Sequence, residues 1–320
     1  MTLHLENKWV WDFWFAKDGF DFHIFYLQAP RALGNPDLRH WNTTIGHAIS
    51  RDLINWTILK DALHPSEVED DWDSLTTWTG STFHHGNSWY LFYTGTSQAE
   101  KGHVQRIGLA QSDDLVNWKK HENNPIIDVD PRWYELLDKE IWYEQAWRDP
   151  WVFEYGGGFH AFITARAKEG EPKSRGVIAH AISNDLLNWD IKAPVTQPGE
   201  FAYLEVPQLV ELKHRWYLIF CVEGNRYSDA RVSRKGDEIS SGTHYMVAAD
   251  PFGPFIQPEI DLLYGDKEGS SYSGKVIQNN AGEWMFMTAI QYNPSGKYQG
   301  DISDPMPLII EEDGQLGVLL

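Results

Sequence analysis

One phrase occurs three times in this sequence, and the repetition constrains the fold more than any other feature. Gly46–Trp56 (GHAISRDLINW) returns as Gly108–Trp118 (GLAQSDDLVNW) and again as Ala179–Trp189 (AHAISNDLLNW). Each copy reads as a short strand, then a Ser-x-Asp-Leu turn whose Asp bonds nearby backbone N–H groups, then a Trp that packs beneath. A worn fourth copy spans Met246–Phe255. A second element, short, aromatic and β-branched, recurs at His23–Tyr26, Trp89–Tyr93, Phe159–Phe162, Trp216–Phe220 and Trp284–Met287. Turn signals precede these segments, and before each lies another strand candidate: Trp9–Phe15, Trp78–Phe83, Asp149–Phe153, Leu204–Val210 and Tyr272–Ile277. Five copies of a several-stranded unit, at a spacing of roughly 60–70 residues, imply an all-β fold, a five-bladed β-propeller around a central axial pocket. No linker or low-complexity tract divides the chain, so residues 1–320 form a single domain. Helical patterning is scarce. Asp130–Tyr143 holds a turn or two inside an insertion, Asn225–Thr243 reads as an exposed loop, and Pro307–Ile310 reads as a last strand that closes the ring.

Composition narrows the partners. Forty-six acidic against 27 basic residues give a net charge of −19, which argues against nucleic acid and anionic membranes. The single cysteine, Cys221, excludes an internal disulfide framework, and Met1–Glu6 has no basic region leading into an apolar run. A cytoplasmic location is therefore expected. The 16 Trp, 14 Tyr and 15 Phe suit a carbohydrate partner, whose C–H faces pack on flat rings, and equally an aromatic β core.

Equivalent strand ends surround one axis in a propeller, so a residue type repeated at one point of several units says more than a motif alone. The inner strands of units one, three and four carry Asp12, Asp149 and Glu205, while units two and five carry small residues in Thr79-Gly80-Ser81 and Ser271-Tyr272-Ser273-Gly274. Singly, each acid has a bland explanation: Asp12 caps a turn, Asp149 pairs with Arg148, Glu205 lies at the surface. Together they place three carboxylates in one funnel. Hydrolysis of a glycosidic bond needs two, a proton donor and a nucleophile or base. Crowding raises the pKa of at least one of the three, and the third stabilises an oxocarbenium-like transition state while ionised.

These motifs resemble the furanosidase propellers, above all glycoside hydrolase families 32 and 68, with family 43 more distant. Phe22–Gln28, Gly46–Trp56, Trp78-Thr79-Gly80-Ser81 with Leu91–Gly95, Arg148-Asp149-Pro150 and Glu205-Val206-Pro207 carry the resemblance over most of the chain. Arg148 before Asp149 points to families 32 and 68 rather than 43. The chain departs from family 32 in Trp11-Asp12-Phe13-Trp14, which is closer to the Trp-Asp-Ser-Trp of family 68, and in ending with the propeller, without the usual C-terminal β-sandwich. The resemblance implies a β-fructofuranosidase acting on sucrose or short fructans with retention. Asp12 would be the nucleophile, Glu205 the acid/base and Asp149 the transition-state stabiliser, with Asp12 and Glu205 roughly 5–5.5 Å apart. Arg148 would hold Asp149 ionised and donate to a sugar hydroxyl. Gln28, Trp41, Trp78 and Ser81 are candidate subsite residues, and Trp11 and Trp14 floor or wall the pocket. Core packing remains the competing explanation for each Trp, and it is the assignment for Trp56, Trp118 and Trp189.

Rival readings are an inverting arabinofuranosidase or xylosidase, a fructosyltransferase using the same residues, and a silent sugar-binding propeller. No cofactor is implied, and the 13 His show no zinc pattern. The acidic run Glu67–Asp73 is read as a solvated loop rather than a calcium site. His47 and His180, at equivalent repeat positions, are expected to bond loop carbonyls, and Cys221 to be buried and inert. An uncovered propeller flank leaves room for self-association into a homo-oligomer.

Overall fold

The computed structural model describes residues 3–319, apart from the side chain of Asp237. Each unit is an antiparallel meander. The innermost strands of blades one to five are Lys8–Asp18, Thr76–His85, Trp147–Tyr155, Glu205–Leu212 and Ser271–Gln278. The second strands, Asp21–Pro30, Ser88–Thr96, Gly158–Arg166, Arg215–Val222 and Trp284–Tyr292, contain the five aromatic segments. The third strands of blades one to three, Thr44–Ser50, Gln105–Ser112 and Gly176–Ser183, carry the first half of the repeated phrase.

The phrase builds the same turn three times. Asp52, Asp114 and Asp185 each accept two backbone N–H bonds, at 2.7 to 2.9 Å, from the residues two and three positions on. These bonds, led by those from Asn55, Asn117 and Asn188, hold all three carboxyls well below the usual range. The intervening Leu53, Leu115 and Leu186 take left-handed φ of 62 to 64° while burying their side chains between blades. Trp118 and Trp189 donate to the carbonyls of Leu115 and Leu186 and pack, as Trp56 does, against the adjoining core.

Alternation along each inner strand feeds the apolar cores that fill the spaces between neighbouring blades. In blade one, Trp9, Trp11, Trp14 and Ala16 share one core, where Trp9 packs edge-on against Tyr298, whereas Val10, Phe13 and Phe15 share another with Met287 and Ile302 of blade five. The parity changes between Trp11 and Phe13, where the ladder skips Asp12. One unpaired residue therefore transfers every later side chain to the other face.

Several expectations are corrected. Met306–Ile310 is the third strand of blade five and does not close the ring. Blades five and one meet where Leu3 exchanges two backbone bonds with Ile302, and where Arg31 donates to the Gln299 carbonyl at 2.8 Å. Asn225–Thr243 is not simply a loop: it contains a short helix, Asp229–Lys235, capped by Ser228 and anchored by buried Arg231 on Asp261 and Glu200. His47 and His180 bond to other histidines, His23 and His160, each at 2.9 Å. Burial, assisted by these neighbours, pushes His47 down to about 3 and His180 to about 4. In the acidic run Asp73 is buried, accepting from Tyr93 and Lys120, while Glu67, Glu69, Asp70 and Asp71 are exposed. Among the described residues no cluster of three or more His, Cys, Asp or Glu is arranged for a metal ion. Likewise no helix there is long and apolar enough to cross a membrane.

Adjacent leucines of the third turn test this packing. Leu186 is buried and Leu187 is 36% exposed. Leu186→Ala should cost roughly 2–4 kcal/mol in urea unfolding and Leu187→Ala no more than about 0.5 kcal/mol.

Candidate active site

All five innermost strands break their ladder at the same level. Registers skip Asp12 in blade one, Thr79 in blade two, Asp149-Pro150 in blade three, Val206-Pro207 in blade four and Ser273-Gly274 in blade five. Asp149, Val206 and Ser273 take left-handed φ of 59°, 47° and 55°. Such backbone costs about 1–3 kcal/mol per residue and persists where neighbours over-determine it. Proline follows at two of these bulges, where no ladder bond is lost to its missing N–H.

The register corrects one inference. Asp12 and Asp149 stand in the bulges, but Glu205 is the last paired residue before one, level with Trp11, Trp78, Arg148 and Tyr272. The carboxylates thus come from two adjacent levels. Ser273 and Thr79 occupy the Asp12 level in their own blades, and both donate to Asp12, Ser273 closely and Thr79 at 3.4 Å.

The three acids border one axial cavity of about 340 Å³, together with Arg148, Trp11, Trp41 and Trp78. Arg148 is the hub. It donates to Glu205 at 2.6 Å, to Glu144 and Gln105 at 3.0 Å each, and lies over the Tyr203 ring at 4.5 Å, with its Nε 3.7 Å from Asp149. Its shorter contact is with Glu205, not with Asp149 as the sequence led us to expect. Tyr272 donates to the other Glu205 oxygen. Asp149 Oδ2 accepts from the Val206 N–H and the Thr164 hydroxyl, both at 3.0 Å. Burial pushes Asp149 up to about 7, and Arg148 opposes that shift without overcoming it. Asp12 is raised as well, mainly by burial and further by Glu205, with the Ser273 bond acting against it. Glu205 is the more open acid, its side chain 21% exposed against 5% for Asp149.

Three candidates fall outside the cavity. Trp14 is fully buried and donates to Thr82, because the Asp12 bulge swings it into the core between blades one and two. Gln28 is enclosed and donates to Thr44, and Ser81 accepts the Val152 N–H, tying blade two to blade three. The cavity gains Arg39, His40, Tyr143, Tyr203, Glu223 and Arg226 from connections outside the repeat. Trp78 donates to the His40 carbonyl and Trp41 packs 5.8 Å from Trp78, so the Pro36–Trp41 turn forms the wall beside blade two. Tyr272 was legible in principle, since it precedes the blade-five bulge as Trp11 and Trp78 precede theirs.

Carboxylates from three blades around an axial cavity with aromatic walls define a propeller of the glycoside hydrolase type. Sequence comparison agrees: the glycosyl hydrolases family 32 N-terminal domain matches residues 13–289, and the chain belongs to that family. Sucrose-6-phosphate hydrolase of Bacillus subtilis is 28% identical over 211 residues, 63% of this chain and 39% of the relative. Levanase of Bacillus sp. (strain L7) is 26% identical over 323 residues, 90% of this chain and 31% of the relative. The chain therefore spans well under half the length of these curated relatives. Inulosucrase from Halalkalicoccus jeotgali bound to kestose shares the fold, with a TM-score of 0.80 at 20% identity, over 98% of this chain and 88% of that one.

The raised pKa of Asp149 carries a stability cost of defined sign. Its folded value of about 7 lies above the ordinary 3.8, so between those limits the folded state holds a proton that the unfolded state lacks, and stability falls as pH rises. Asp149→Asn should therefore stabilise the protein by roughly 1–3 kcal/mol at pH 8. The gain should shrink toward zero by pH 4 in thermal melts run across that range.

Proposed function

We propose that the chain hydrolyses terminal β-D-fructofuranosyl linkages of sucrose or short fructans by a retaining double displacement. The observation that carries this reading is the convergence of Asp12, Asp149 and Glu205 on one cavity, with Arg148 bonded to Glu205 and close to Asp149. The ionised Asp12 attacks the anomeric carbon as the bond to the leaving oxygen breaks, and Glu205 delivers its proton to that oxygen. Water then gives a proton to Glu205 and its oxygen to the anomeric carbon, releasing Asp12. Asp149, fixed by the Val206 N–H and Thr164, bonds the sugar hydroxyls and stabilises the cationic transition state. Trp11, Trp41 and Trp78 supply apolar faces for the sugar rings. The hydrolase names of the Bacillus relatives support hydrolysis as the outcome. A cytoplasmic location fits a chain whose one cysteine is buried and free.

Asp12→Asn should lower kcat on sucrose by about 10³–10⁵-fold while leaving the melting temperature within a few degrees of wild type. Initial-rate and melting measurements decide it, and activity near the wild-type level would remove Asp12 from the nucleophile role. The pH profile is a second check. Because Asp12 and Asp149 act as anions and both are raised, the acid limb of kcat/KM should lie above the ordinary carboxylate range, toward 7.

A further inference from the structure

Lys275 is the first paired residue after the blade-five bulge, and it is almost wholly buried, at 2% exposure. A lysine is rarely enclosed unless a partner compensates its charge. Its ammonium donates to the carbonyl of Val206 in blade four. Val206 occupies the blade-four bulge with φ of 47°, follows Glu205 directly, and donates its own N–H to Asp149 at 3.0 Å. One residue, Val206, thus connects Lys275 to two of the three acids: its carbonyl accepts from the ammonium, its N–H donates to Asp149, and Glu205 precedes it. Three groups from neighbouring elements act electrostatically on the ammonium: Asp12 of blade one, Asp149 of blade three and Cys221 of blade four. On its own strand Ser273 holds Asp12 and Tyr272 holds Glu205.

We propose that Lys275 is a positioning residue of the axial site: its ammonium fixes the Val206 bulge, and with it Asp149 and Glu205, and places a buried positive charge among the acids. The alternative, a lysine that merely fills space between blades, predicts no electrical link to the acids. Burial lowers the Lys275 pKa while Cys221, Asp149 and Asp12 raise it, and Asp12 is lowered by Lys275 in return. Desolvation is the larger influence on both Lys275 and Asp12, so Asp12 is helped to ionise without being brought to its ordinary value.

The test uses Lys275→Met, which removes charge and hydrogen bond at similar volume, and Lys275→Gln, which keeps an N–H donor without the charge. Asp carboxyl carbons, ¹³C-labelled, are titrated by NMR in wild type and both variants. This readout does not depend on the fructosidase reading. Both variants should move the most raised Asp midpoints upward by about 1 pH unit. Unchanged midpoints in either folded variant overturn the proposal. The activity arm does rest on the fructosidase reading: on sucrose the Met variant should lose about 100-fold in kcat, the Gln variant less, and both acid limbs should shift upward. A loss of activity with an unshifted limb also overturns it. Should neither variant fold, a ¹⁵N-lysine spectrum of the unsubstituted protein decides. A protected, slowly exchanging ammonium at pH 7 supports the proposal, and a neutral amine contradicts it.

Discussion

Each innermost strand gives up its pairing at one level beside the propeller axis, and the five bulges are held by one another. Thr79 bonds Asp12 at 3.4 Å, and Thr94 bonds the Thr79 carbonyl at 3.0 Å. The Asp149 N–H then bonds Thr94 at 2.9 Å, and the Val206 N–H bonds Asp149 at 3.0 Å. Lys275 bonds the Val206 carbonyl, and Ser273 returns to Asp12. The series passes through every blade and ends where it began. Backbone groups freed by the bulges thereby find partners in adjacent blades, which also fixes the positions of the acids.

The same arrangement explains why the cavity is electrically unusual. Removing Asp12 and Asp149 from water disfavours their charges, and Glu205 beside them adds to the effect. Arg148 is shared among Glu205, Glu144 and the more distant Asp149, so it balances the group without neutralising any one member. A pocket that retains a proton among adjacent carboxylates near neutral pH is poorly optimised for stability. The raised groups, Asp12 and Asp149, are the ones the proposed chemistry uses as anions, so the protons they retain oppose catalysis on the acid side.

Much of this was legible in the sequence because blade architecture is periodic. The Ser-x-Asp-Leu turns, the aromatic second strands and the inner-strand acids could be located from their repetition alone. What the sequence obscured was register. A single skipped residue at Asp12 sends Trp14 into the core, and the bulges that begin at Asp149 and at Val206 make Glu205 the counterpart of Arg148 rather than of Asp149. A bulge carries no composition signal of its own when its residue is an Asp, a Thr or a Val. The cavity wall was hidden for a different reason. Arg39, His40, Tyr143 and Arg226 lie in connections that differ from blade to blade, so no repeat marks them. Arg231 and its helix were missed because a seven-residue helix, anchored by ion pairs to Glu200 and Asp261, has little amphipathic pattern to read.

If Asp12 and Glu205 carry out two successive displacements at one anomeric carbon, the released sugar keeps its configuration. A proton NMR time course of the protein with sucrose tests it most directly, because the anomer released first reports the stereochemistry before mutarotation scrambles it. Release of fructose initially as the β-furanose is the expected result. Initial release of the α-anomer would contradict the account, since a single displacement by water would then make Asp12 a base instead of a nucleophile.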